Sequence, residues 1–177
     1  KRWWRENGLF VMLGIAFGIA ALVGGRYWLT QQAMNVANAS SLYQQANAYL
    51  AKGKTSEAAS SVDQLFSDFS ATPYATFAAL DMAKESVENK DINGAKSYLE
   101  WAINHAKLAG QKDIARLRLS QLQLSEASYE AALATANQSD TAAFKSLFDE
   151  LKGDIYLAQG KMAEAASAYR AAKIALE

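Results

Sequence analysis

The feature that most constrains this chain is an internal repeat running from residue 39 to its end. Four segments stack on one another: YQQANAYLAKGKTSEAASSV from Tyr43, LDMAKESVENKDINGAKSYL from Leu80, LRLSQLQLSEASYEAALATA from Leu117 and ELKGDIYLAQGKMAEAASAY from Glu150. In register they align a small residue at Ala46, Ala83, Ser120 and Gly153, and a second at Ala58, Ala95, Ala132 and Ala165. Between these columns lies a turn position held by Gly53, Lys90, Ala127 and Gly160. All three columns advance by 37, 37 and then 33 residues. Stacked helical hairpins carry this signature, because two helices cross closely only where the side chains between them are small. An ordinary helical bundle with alanine-rich seams needs no such period.

The last segment comes nearest to the tetratricopeptide pattern, with Gly153, Tyr156, Gly160, Ala165 and Tyr169 at that spacing. The second and third segments are degenerate at the turn. Larger residues are expected to fill the rest of the seam, in one column at Leu50, Val87, Leu124 and Leu157 and in another at Val62, Leu99, Ala136 and Tyr169. The two longer steps predict longer connections around residues 70–73 and 109–112. Ala, Leu, Gln, Lys and Glu recur and proline occurs once, at Pro73, a mixture that suits helices and suits strands badly. The expected fold is therefore all-α: a right-handed tetratricopeptide-like solenoid of about four hairpins behind an N-terminal transmembrane helix. Partners of such solenoids usually contact first-helix residues on the concave side. By register those are Asn47, Lys84, Gln121 and Asp154, flanked by Tyr43, Leu80 and Leu117, although the apolar members could instead pack between repeats.

The N-terminal helix is read from residues 9–25, LFVMLGIAFGIAALVGG, which hold no charged or strongly polar side chain. Such a run lies at the lower limit for spanning a hydrocarbon core of about 30 Å. Trp3 and Trp4 on one side, and Tyr27 and Trp28 on the other, supply the aromatic flanks of a single span. A cleaved signal peptide would show a small-x-small site and a polar mature terminus after Val23; Gly24, Gly25, Arg26, Tyr27 and Trp28 favour an anchor instead. Lys1, Arg2 and Arg5 should keep the short tail in the cytoplasm. This divides the chain into a cytoplasmic basic tail (1–8), a transmembrane anchor (9–28) and a periplasmic repeat domain (29–177). Gly14 and Gly18 form a G-x-x-x-G pair, a candidate contact between membrane helices. Between Arg26 and Lys52 no proline or glycine occurs, so helix is expected to continue from the span into the first repeat.

With these parts placed, KRWWRENG, the short glycine-rich span, GGRYW and the degenerate hairpins together resemble the YfgM-type ancillary subunits of the SecYEG translocon. The resemblance covers essentially the whole chain, and its most specific part is residues 1–28. It implies a single-pass inner-membrane protein with a periplasmic repeat domain. The implied partners are the SecYEG translocon, a membrane-anchored periplasmic chaperone of the PpiD type, and newly translocated client proteins passed between them. It supplies no catalytic residues. A membrane-tethered scaffold for some other cell-envelope assembly is the alternative.

The composition argues against other chemistry. From Thr30 onward there are 14 Lys/Arg against 17 Asp/Glu, a balance of −3, unlike the concentrated basic surface that nucleic acid requires. With no cysteine and the single histidine His105, neither a zinc site nor a Cys–His pair can be built, and no cofactor is expected. His105 reads as a helix-terminal, solvent-facing residue. The acidic pairs Asp149/Glu150 and Glu85/Glu88 read as exposed helix faces. No phosphate-binding glycine motif occurs. An enzyme is not expected.

Overall fold

A helix can end on a left-handed residue that turns the backbone back on itself, and among the described residues this chain uses that device four times. Gly53, Lys90, Ala127 and Gly160 have φ of 68°, 62°, 58° and 74°. Each sits in the same pair of hydrogen bonds. The left-handed residue's N–H reaches back three residues (Gly53 to Leu50, Lys90 to Val87, Ala127 to Leu124, Gly160 to Leu157). The next N–H reaches back five (Lys54 to Tyr49, Asp91 to Ser86, Ser128 to Gln123, Lys161 to Tyr156), at 2.8 to 2.9 Å. These bonds satisfy carbonyls that the helix end leaves open. Thus the turn that is degenerate in sequence at Lys90 and Ala127 is not degenerate in conformation.

The computed structural model describes residues 2–139 and 141–175; the side chains of residues 2–6, 8–11, 13, 15 and 16 are outside the description. Among the described residues there are eight α-helices, one 3-10 turn (Ala142–Phe144) and no strand. They are α1 (Arg2–Leu50), α2 (Thr55–Asp68), α3 (Pro73–Glu88), α4 (Ile92–His105), α5 (Ala109–Ser125), α6 (Tyr129–Ala136), α7 (Lys145–Ala158) and α8 (Met162–Ile174). Pro73 opens α3, where a missing N–H costs nothing. Asp91 caps α4 by accepting from the Gly94 N–H at 2.9 Å. α1 passes through Gly24 and Gly25 without a break.

Contacts divide the chain into two units, Lys1–Asn38 and Ala39–Glu177. In the first, Phe17, Ile19, Leu22, Val23, Tyr27 and Trp28 are exposed. Among the described residues, no neighbouring side chain lies within 4 Å of a Cβ placed on Gly14 or Gly18. Among the described residues no helix is long and apolar enough to cross a membrane. The expected span falls partly on residues 9–11, 13, 15 and 16, whose side chains lie outside the described set.

In the second unit the helices pair as hairpins, with successive hairpins packed together through α2–α3, α4–α5 and α6–α7. The small columns lie where the helices cross. Ala58, Ala95 and Ala132 are wholly buried, and Ala165, Ala46, Ala83, Ser120 and Gly153 are buried with them. Ser120 Oγ donates to the Ala132 carbonyl at 2.8 Å, which joins the two columns directly. Of the larger residues, Val62, Leu99 and Ala136 are buried as expected and Tyr169 is half-buried. The other column departs from expectation. Leu50 and Leu124 are only half-buried, and Val87 and Leu157 are exposed, because this column faces outward beside the crossing.

The connections also differ from expectation. The first link, residues 69–72, falls where predicted, but residues 109–112 already belong to α5, and the link before it is residues 106–108. The longest link, residues 137–144, follows the shortest second helix, α6 (8 residues against 14 in α2 and α4). The step of 33 therefore hides a short helix and a long link. That link is held by buried Asp113 of α5, which accepts from the Thr141 N–H (3.0 Å), Thr141 Oγ1 (2.8 Å) and Ser139 Oγ (3.2 Å). Arg116 donates to its other oxygen at 3.2 Å. A carboxylate can be wholly buried only with partners of this kind.

Candidate protein-binding groove

Because the small residues draw each pair of helices together, the opposite sides of the first helices are left to line a surface. Between α1 and α3 this surface forms a cleft of about 460 Å³, lined by Tyr43, Asn47 and Leu50 on one wall and Asp81, Lys84, Glu85 and Glu88 on the other. Between α3 and α5 lies a second cleft of about 490 Å³. Its walls are Ala83, Lys84, Val87 and Glu88 against Arg118, Gln121, Leu122 and Ser125, and Leu99 of α4 reaches its floor. Both volumes are within the range of sites that hold a small ligand or a few side chains.

The expected groove residues divide on this geometry. Tyr43, Asn47 and Lys84 meet in the first cleft, and Lys84 and Gln121 in the second. Leu80 is buried in the core beside Ala83, Leu99 and Leu119, so it supports the groove from behind. Leu117 is half-buried against the cluster of Ala132, Leu151 and Ile155. Asp154 is exposed and accepts from Tyr169 Oη at 2.7 Å, a tie within the fourth hairpin, and lines neither cleft. The lining residues missing from the expected set include Asp81, Glu88 and Arg118. These three stand three residues before or four after Lys84 and Gln121, so helical periodicity applied once more would have found them.

The polar contacts set the character of each wall. Tyr43 Oη donates to Asp81 Oδ2 at 2.7 Å, and its ring lies beside Tyr74 and Phe77 (centroids 5.8 and 6.2 Å). Burial, aided by the Asp81 carboxylate and opposed by Asn47, raises the phenol above its ordinary value, so it stays a donor. Glu85 accepts from Thr55 Oγ1 (3.2 Å) and Asn89 Nδ2 (2.9 Å). Lys84 Nζ lies 3.6 Å from Glu88 Oε1, with both side chains largely in solvent. Arg118 Nη1 makes a long bond of 3.4 Å to the Leu80 carbonyl.

Elsewhere, His105 is the exposed last residue of α4, stacked on Trp101 at 4.3 Å with Nδ1–H donating to the Trp101 carbonyl at 2.9 Å. Asp149 corrects the reading of an exposed acidic pair: it is buried and tied to Lys145 and to Lys152 (3.1 Å). No group of three metal-ligating residues is assembled among the described residues. The arrangement offers shape, charge and apolar surface.

Comparison with known proteins agrees with the helical-repeat fold. The profile of the family described as "Tetratricopeptide repeat-like domain" matches residues 1–177. A Haemophilus influenzae protein named "Ancillary SecYEG translocon subunit" is 32% identical over 98% of this chain and 84% of its own length. Proteins of the same name from Aggregatibacter actinomycetemcomitans (30% identical, covering 98% of this chain and 84% of the relative) and Escherichia coli (27%, 97% and 82%) are similar in the same way.

Proposed function

Since the chain belongs to the family of ancillary SecYEG translocon subunits built on a tetratricopeptide repeat-like domain, we propose that it is a non-catalytic scaffold, anchored in the inner membrane beside the Sec translocon. The observation that carries this reading is the pair of clefts spanning the first helices α1, α3 and α5. They place exposed Lys84 and Gln121 over a core closed by small residues, as a surface for holding protein segments requires. In this reading the groove receives newly translocated chains and passes them to a periplasmic chaperone of the PpiD type.

Residues 9–28 are the anchor, with 1–8 in the cytoplasm and 29–177 in the periplasm. The support is the apolar run with its aromatic flanks, together with Phe17, Leu22 and Val23, large side chains that are exposed. Gly14 and Gly18 are available for close contact with a partner's membrane helix. A periplasm-dependent reporter fused after residue 177 should be active, and activity of a cytoplasm-only reporter there would reverse the topology.

The decisive experiment places a photocrosslinker at Lys84 or Gln121 and identifies what is captured in intact cells. Translocon subunits, a periplasmic chaperone or nascent secreted chains are the expected products. Exclusive capture of cell-wall or outer-membrane assembly proteins would instead assign the scaffold to another envelope machine.

A further inference from the structure

The two clefts share the α3 wall but differ in chemistry. The α1–α3 cleft carries three carboxylates, Asp81, Glu85 and Glu88, against the single ammonium of Lys84. The α3–α5 cleft carries Lys84 and Arg118 against Glu88, and the apolar part of its lining is Ala83, Val87, Leu99 and Leu122. Val87 is 43% exposed there, an aliphatic side chain with a face open to the cleft. A ligand crossing α3 therefore meets an acidic site on one side and an apolar site on the other. Uniform affinity for any unfolded chain would need neither difference.

We infer that the groove selects extended protein segments in which a basic residue stands three positions from a large aliphatic or aromatic one. The basic side chain sits over Asp81 and Glu85, and the apolar one inserts between Val87 and Leu122. The spacing follows from geometry. The two clefts flank α3, and an α-helix with its side chains is roughly 10 Å across, so moving from one cleft to the next covers about that distance. A polyproline-type strand rises about 3.1 Å per residue with three residues per turn, which puts residues three apart on one face roughly 9 Å from each other. A β-strand presents residues two or four apart on one face, at about 7 or 13 Å, and matches neither. This inference rests on the reading that the groove holds protein segments, and it names which segments those are.

The test uses the full chain in lipid nanodiscs, with empty discs as the blank, and fluorescein-labelled Gly/Ser peptides read by anisotropy. The peptide with lysine and phenylalanine three apart should bind about three- to fivefold more tightly than its glutamate-for-lysine counterpart, as expected for an exposed charge pair. It should bind about tenfold more tightly than the peptide with serine for phenylalanine. Spacings of two and four should be weaker. These comparisons alter only the peptide, so they do not depend on any variant folding. On the protein side, Asp81→Asn with Glu85→Gln should erase the preference for lysine while retaining the phenylalanine contribution. The amide oxygen introduced by Asp81→Asn can still accept from Tyr43, so that tie survives the change. Val87→Asp, at an exposed position, should erase the phenylalanine contribution. Equal binding of lysine and glutamate peptides, indifference to spacing, or no binding of any peptide would each overturn the inference. Crosslinking from Lys84 would then still report independently on whether the scaffold meets the translocon.

Discussion

The two middle hairpins, α3–α4 and α5–α6, and the two outer ones, α1–α2 and α7–α8, make the same turn with different residues. The outer turns use Gly53 and Gly160, which enter the left-handed region freely; the middle turns force Lys90 and Ala127 into it. For a residue with a Cβ that conformation costs about 1–2 kcal/mol. Both sets nonetheless form the same two hydrogen bonds. The turn residue therefore does not dictate the hairpin. In the middle of the stack each hairpin is packed on both sides, α3 and α4 between α2 and α5, α5 and α6 between α4 and α7. Such packing holds a strained residue that an end hairpin, with one neighbour, would have more trouble retaining.

If neighbours on both sides make the middle hairpins rigid, they should resist overpacking least well. Ala132→Leu and Ala95→Leu push a branched side chain into wholly buried crossings and should cost about 3 kcal/mol. Ala165→Leu, in the last hairpin, should cost about half as much, because α8 can shift outward. Thermal unfolding followed by circular dichroism ranks the three, with Lys161→Ala as a control expected to change stability by less than about 0.5 kcal/mol. Equal losses at all three seam positions would remove the distinction between middle and end.

The fourth hairpin has its own adjustment. Where α8 presents Tyr169, α7 presents Gly153, and a Cβ there would collide with the Tyr169 ring. At the same register the other hairpins carry Ala46 with Val62, Ala83 with Leu99 and Ser120 with Ala136, so a smaller first-helix residue goes with the larger second-helix one. Gly153→Ala should cost roughly 1–3 kcal/mol, less Ala's gain in helix propensity. Adding Tyr169→Leu should recover most of that loss, a coupling that a double-mutant cycle measures. Additive losses would mean the columns do not compensate one another.

A smaller effect separates the fourth hairpin by pH. Burial pulls the Asp149 carboxyl upward, but hydrogen bonds from Lys145 and Lys152 outweigh it and hold the group below its ordinary value. A lowered carboxyl stabilises the folded state above the unfolded pKa, about 3.9, and loses that contribution as pH falls through the folded value. Asp149→Asn should therefore be less stable than the parent at neutral pH, with the gap closing below about pH 4. A gap that stays constant down to about pH 2.5 would show that the lysines do not act through its charge.

Much of this was legible in the sequence because close packing leaves a mark on residue size. The columns Ala46–Gly153 and Ala58–Ala165 and the turn column could be read directly, and each has the role its register implies. What could not be read was which side of the crossing a large residue takes. Val87 and Leu157 are as apolar as Leu99, yet they stand in the outward column. The link at residues 137–144 escaped because a short α6 and a long connection cancel in the period. Asp113, which holds that link, lies outside every repeat column. In the groove, Leu80 takes the packed alternative that its register left open, since one helical position shifts a side chain by about 100° and puts Asp81 at the surface in its place.

The finest test of the comparison exchanges the turn residues themselves. Ala127→Gly relieves a left-handed alanine at φ 58°, but it also frees the unfolded chain, which offsets about 0.5–1 kcal/mol of the gain. The net expectation is a stabilisation below about 1 kcal/mol, a rise in melting temperature of roughly 1–3 °C for a domain of this size. Gly160→Ala reverses both terms and should lower stability by a similar amount. Among the described residues, nothing beyond its chain neighbours lies within 4 Å of the added Cβ at Gly160, so its loss would report backbone conformation alone. Opposite signs for the two substitutions would locate the strain in the middle hairpins, held there by their neighbours. If Ala127→Gly instead destabilises, the middle turn accommodates its Cβ without strain, and the hairpins differ in sequence but not in energy.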